Sequence, residues 1–168
     1  MDELRRLDAL PRHPHPEIDV ASFVLRVDGL VARPLALTPD DLRALPQRDF
    51  DADFVCLEGW VAPDRHWRGV ALGDVIELAG PADAVRFVQA SSGEFSLPLA
   101  IDDARRALLA LVLDGEPLAA AHGAPVRLVV PGGECFTSVK WLDRIELRAE
   151  PAEDTARAIA LARLPANR

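Results

Sequence analysis

The apolar residues of this chain come in short runs cut by glycine, proline or Asp-Gly pairs, and this punctuation limits the possible folds most. Val126-Arg127-Leu128-Val129-Val130 reads most strongly as a strand and is ended by Pro131-Gly132-Gly133. Strands are also predicted at 23–27, 35–37, 85–90, 95–99, 111–113, 139–142 and 145–147, with a further one running from Arg48 into Cys56. Helices fall between them. Thr38-Pro39-Asp40-Asp41-Leu42 reads as an N-capped start with proline at the first position. Leu72, Val75, Ile76 and Ala79 trace a helical face that stops before Gly80-Pro81. Residues 101–109 and 1–10 are expected to be helical too, the latter with Leu4 and Leu7 on one side. Short strands with interspersed helices and no regular strand–helix alternation argue an α+β fold built on a mixed sheet. Residues 1–150 are expected to form one domain, and the alanine- and arginine-rich residues 151–168 a C-terminal helical tail.

A chain of 168 residues is long enough for a sizeable core, and 49% hydrophobic with 27% charged residues is ordinary for a globular protein. A formal net charge of −8 disfavours nucleic acid as a partner, which would want a basic stripe. An anionic ligand stays open, because a few arginines and lysines converging on one pocket can oppose the global sign. Two cysteines do not make a disulfide framework. No apolar run approaches the ~20 residues needed to cross a bilayer, and the arginine pair Arg5-Arg6 has no apolar core behind it. A cytoplasmic protein without membrane insertion is the expectation.

Chemistry is expected where polar groups sit beside strand ends. In Phe54-Val55-Cys56-Leu57-Glu58-Gly59-Trp60 the apolar approach ends in a thiol just before the chain turns. That thiol suits a nucleophile, a soft metal ligand or a small core residue. Arg127, inside an otherwise apolar strand, needs an anionic partner, either a carboxylate or a phosphate. The loop 131–141 offers glycine-exposed N–H groups, Ser138 and Lys140 to an anion, yet its spacing is not that of a nucleotide P-loop. His13 and His15 lack further ligands for a metal site and read as surface or ligand-contacting residues.

Taken in order, these stretches carry a family likeness. Cys56-Leu57-Glu58-Gly59-Trp60 is followed by Trp67-Arg68-Gly69-Val70, by Asp114-Gly115-Glu116-Pro117-Leu118, by His122-Gly123-Ala124-Pro125-Val126-Arg127, and by Ser138-Val139-Lys140-Trp141-Leu142. From about Arg12 to Leu147 the chain resembles the molybdopterin-binding domain shared by sulfite oxidases, plant-type nitrate reductases and the periplasmic methionine sulfoxide reductase catalytic subunit. The resemblance implies a molybdenum–molybdopterin cofactor, with Cys56 as the protein thiolate on the metal. It also implies cofactor contacts from Ser92, His122, Arg127, Ser138, Val139 and Lys140, and from Arg12 and His13 in the N-terminal segment. Oxygen-atom transfer on a small-molecule substrate, with an external electron-transfer partner, would follow. The chain departs from the family pattern at Glu134-Cys135 and in having no tyrosine. Two other readings follow from these features: a module that keeps the fold without the metal, and a thiol redox protein using Cys56 and Cys135. The second requires Cα atoms closer than about 7 Å.

Overall fold

A computed structural model describes residues 3–164. Two sheets share the molecule. The first contains β1 (Arg5–Arg6), β4 (Gln47–Cys56), β5 (Trp60–Ala71), β8 (Leu108–Leu113), β9 (Glu116–Pro117) and β10 (Arg127–Val129). β5 is its spine, pairing antiparallel with β4 along one edge and with β8 on the other, while β1 runs parallel beside Trp60 and Val61. The second sheet has the order β3 (Leu35–Leu37), β2 (Leu25–Gly29), β11 (Arg144–Arg148), β6 (Phe87–Ser92), β7 (Phe95–Ala100). Only its β2–β11 pair is parallel, so the sheet is mixed, as the α+β reading expects.

The helices are short: α1 (Pro39–Ala44), α2 (Leu72–Ala79), α3 (Ile101–Arg106) and α4 (Thr155–Ala162). Thr38 and Asp41 form a full capping box at the start of α1, worth about 1 kcal/mol. α2 has no side-chain cap and is held by packing instead. Leu72, Val75 and Ile76 are fully buried on its inner face, each contributing roughly 1.5–3 kcal/mol, which outweighs a missing cap. Gly80 ends that helix in the left-handed region, at φ 70°. The main core joins α2 to both sheets through Leu25, Val70, Leu109, Leu128 and Ile145. A second core gathers Leu10, Trp60, Trp67, Leu113 and Val129, with Phe54 and Cys56 packed against it.

Four expectations need correction. The helix expected over 1–10 is not formed by its described residues, 3–10: Arg5 and Arg6 pair with β5, and Leu7 N–H donates to the Val61 carbonyl at 2.8 Å. Leu10 is thereby drawn into the second core. The helix expected over 101–109 stops at Arg106, because Leu108 and Leu109 are needed in β8 against Val70 and Ala71. The stretch 139–142 is a turn, with Trp141 at φ 53°. Finally, β5 continues through Pro63-Asp64-Arg65-His66, where no strand was expected. The pairing with β4 shifts register there, Asp64 takes φ 55°, and this irregularity breaks the alternation on which strand recognition depends.

Candidate active site

Cys56 is the last residue of β4, and Gly59 at φ 86° turns the chain back into β5. The half-buried thiol therefore stands where the first sheet opens. Its Sγ lies 3.3 Å from the Sγ of Cys135, which begins a 3₁₀ turn at Cys135–Thr137. Burial pushes the Cys56 thiol up to about 12, while a backbone hydrogen bond at Glu58 acts in the opposite direction.

Beside the thiol pair opens a cavity of about 510 Å³. Phe54, Cys56, Trp60, Arg127, Cys135, Ser138 and Lys140 line it from the first sheet and its loops, and Ser92 and Phe95 from the second. His13 reaches it from the N-terminal segment, and Ile159, Ala160, Arg163 and Leu164 from α4 and the residues after it. Its lining carries the cations of Arg127, Lys140 and Arg163, and Glu58 as its carboxylate, which accepts from Trp60 Nε1 at 3.2 Å. The chain is acidic overall, yet this wall is positive.

Arg127 decides what the cavity can hold. It is only 3% exposed, and Nη1 donates to the His122 carbonyl at 3.0 Å. Nε is buried without a hydrogen-bond acceptor, and no carboxylate ion pair reaches the side chain among the described residues. The guanidinium lies 5.0 Å from the Phe54 ring centre and 5.3 Å from that of Trp67. Such contacts contribute about 0.5–2 kcal/mol each. Burying an ion costs several kcal/mol, so the aromatic faces alone do not balance the charge. Burial depresses the Arg127 pKa to about 10, which still leaves it charged at neutral pH. Among the described residues no carboxylate pairs with this arginine, and an anionic ligand in the cavity fits the remaining demand.

Lys140 supplies a second cation. Its Nζ donates to the Ala121 carbonyl at 3.1 Å, and burial, then the charges of Arg127 and Arg163, lower its pKa to about 8. Gly123, at φ 111°, lets the 119–124 segment approach: a Cβ there would stand 3.0 Å from Lys140 Cα. His122 braces rather than lines the cavity. Its Nε2 donates to the Leu10 carbonyl at 3.2 Å, and burial holds its pKa below the usual range, so the ring is neutral at physiological pH. Val139 is buried in the main core, and its carbonyl accepts from Leu128 N–H at 2.9 Å. Arg12 is exposed and adds to the positive potential felt by His122.

The structure thus brings Cys56, Ser92, Arg127, Ser138, Lys140 and His13 around one cavity, with His122, Val139 and Arg12 behind or beside it. Sequence reasoning missed Phe54 and Trp67 as the bed for Arg127. It also missed the approach of Arg163, for which only the basic composition of the C-terminal helix gave a hint. No group of three or more His, Cys, Asp or Glu residues suited to a metal occurs among the described residues. A metal held by one protein sulfur and by the donors of its own cofactor remains compatible with this donor set.

The family profile of the oxidoreductase molybdopterin binding domain matches residues 12–156. The uncharacterized oxidoreductase YuiH of Bacillus subtilis (strain 168) is 36% identical over 135 residues, covering 79% of this chain and 68% of that protein. The sulfite oxidase of Arabidopsis thaliana is 30% identical over 179 residues, covering 83% of this chain and 46% of that protein. The sulfane dehydrogenase SoxCD from Paracoccus pantotrophus shares the fold at a TM-score of 0.76 and 24% identity, over 82% of this chain and 41% of the other. The chain spans less than half the length of the last two. With the profile spanning most of its length, this chain belongs to the oxidoreductase molybdopterin-binding domain family.

Proposed function

We propose that this chain is a molybdopterin-dependent oxidoreductase domain that transfers an oxygen atom to or from a small substrate. The observation that carries the reading is the buried Arg127, its Nε without an acceptor, beside a cavity shared with Lys140 and the Cys56 thiol. Arg127 and Lys140 would hold the phosphate of the cofactor, whose charge completes the hydrogen bonding that Nε lacks. Ser92 and Ser138 would offer hydroxyls to the pterin, and His122 would keep the Leu10 segment closed over it. Cys56 would be the protein sulfur on molybdenum. When bound, the metal supplies the two-electron change that oxygen-atom transfer needs. The apolar walls of Phe54, Trp60 and Phe95 would exclude water from it. Electrons would pass to or from an external partner protein.

Metal and pterin analysis of chain purified from a molybdenum-sufficient host tests this. Stoichiometric molybdenum with a fluorescent oxidised pterin is expected. Cys56→Ser should abolish activity while leaving the pterin largely bound. Chain that folds but carries neither metal nor pterin would instead favour the module without the metal.

A further inference from the structure

Cys135 has no part in the cofactor reading, yet its sulfur touches that of Cys56. The two residues stand 79 positions apart in sequence, and their sulfurs are 3.3 Å apart. The approach is built into the loop. Gly132 takes φ 68°, and a Cβ on Gly133 would come within 2.3 Å of Thr137 Oγ1. Thr137 Oγ1 in turn donates to the Glu134 carbonyl at 2.7 Å, tightening the turn that carries Cys135. A disulfide needs a sulfur separation of about 2.05 Å, so closure asks the two sulfurs to approach by roughly a further 1.2 Å. The pair also borders a second cavity of about 310 Å³, lined by Phe50, Val129, Gly133 and Glu134. A small oxidant therefore has an approach to the sulfurs apart from the cofactor cavity.

We propose that Cys56 and Cys135 form a reversible disulfide in the cofactor-free chain, and that this bond withholds Cys56 from the metal until it is reduced. Hydrogen peroxide, a two-electron oxidant small enough to enter the second cavity, is the oxidant class we assign. One thiol attacks a peroxide oxygen and becomes a sulfenic acid as the first water leaves. The second sulfur then attacks the sulfenic sulfur, the S–S bond forms, and the second water departs with the hydroxyl oxygen. Two thiols give up two electrons and two protons in all, and one peroxide becomes two waters. A dithiol reductant returns both electrons and both protons. The withholding step rests on the reading of Cys56 as the metal ligand; the disulfide itself does not.

The test uses full-length chain made in a host unable to synthesise molybdopterin. The chain is treated with hydrogen peroxide, alkylated under denaturing conditions and examined by intact mass and peptide mapping. The expected product is monomeric, lighter by the mass of two hydrogen atoms, with the Cys56 and Cys135 peptides joined and both thiols restored by dithiothreitol. Unjoined peptides, over-oxidation of one cysteine or intermolecular dimers would overturn the proposal. Oxidised and reduced chains are then offered molybdenum cofactor released from a donor molybdoenzyme, and the sulfur-to-metal absorption band is measured per molybdenum retained after gel filtration. A band at least tenfold weaker per molybdenum in the oxidised chain, recovered by dithiothreitol, is expected. An equal band in both forms would overturn the withholding role. If the disulfide forms but the reduced chain binds cofactor without that band, the ligand reading of Cys56 fails, and the withholding role fails with it.

Discussion

The guanidinium of Arg127 lies 5.0 Å from the centre of the Phe54 ring, and its Nε has no acceptor. A side chain so placed works against folding until a ligand arrives. Replacing it with a flexible apolar side chain of similar length should therefore separate stability from binding. Arg127→Met is expected to leave the cofactor-free chain as stable as before, or up to about 3 kcal/mol more stable, since a buried uncompensated charge is removed. The same variant should retain at least tenfold less pterin. Urea unfolding and pterin fluorescence measure the two quantities, and a large loss of stability without cofactor would contradict this account of Arg127.

Lys140 gives a pH dependence whose sign can be worked out. Its pKa falls from the ordinary 10.5 to about 8 in the folded chain. Between these values the unfolded chain holds a proton there that the folded chain has released, so stability rises with pH across that window. Anion binding runs the other way, because an anion prefers the protonated lysine. The affinity for sulfate, which stays doubly charged across this range, should be level up to about pH 8 and then fall by up to about tenfold per pH unit, the limit for uptake of one proton. Titration calorimetry from pH 7 to 10 measures this, and Lys140→Arg, which keeps its charge, should flatten the profile.

How much of this was legible in the sequence differs from part to part. Cys56 at a strand end and α2 with its Gly80 stop could be read directly, because periodicity and turn residues report local structure. The length of β5 could not, since Asp64 at φ 55° and the register shift beside it hide the alternation. The turn at 139–142 looked like a strand because Val139 and Leu142 are apolar, but they are buried in the main core from a non-strand backbone. In the site, the need of Arg127 for an anion followed from burying a charge in an apolar strand. Its aromatic bed depends on β4 lying beside β5, a pairing across strands that no local pattern encodes. The contact between Cys56 and Cys135 is likewise long-range, and appeared in the sequence only as a condition to be met.

Gly123 links backbone geometry to the site. At φ 111°, with Lys140 Cα and Cβ each 3.0 Å from where a Cβ would stand, it has neither the conformation nor the space for a side chain. Gly123→Ala should cost about 1–3 kcal/mol, the range for a residue forced into a sparsely populated backbone region. Lys140 should shift away from the Ala121 carbonyl, so phosphate affinity at pH 7 should fall as well. Thermal unfolding and phosphate titration of this variant measure both effects; a change in neither would mean that the loop accommodates the methyl group freely.

Arg163 borders the cavity from the end of α4, and its charge helps to hold the Lys140 pKa down. The helix is docked independently of it: Thr155 Oγ1 accepts from Ser96 N–H at 2.9 Å, Gln89 Nε2 donates to the Glu153 carbonyl at 2.9 Å, and Ala156 is fully buried. Arg163 is exposed and has no ion pair among the described residues, so Arg163→Glu should leave the melting temperature unchanged or slightly raised, since a like charge near Lys140 is removed. Two electrostatic effects are expected. At pH 7, where Lys140 is already charged, the lost cation and added anion should weaken phosphate binding about two- to fivefold at low salt. The difference should shrink towards nothing near 1 M salt, where the screening length is only about 3 Å. At the same time the break in the pH profile near 8 should move upward, because a neighbouring carboxylate favours the protonated lysine. A downward move would show that Arg163 acts on Lys140 through packing rather than charge.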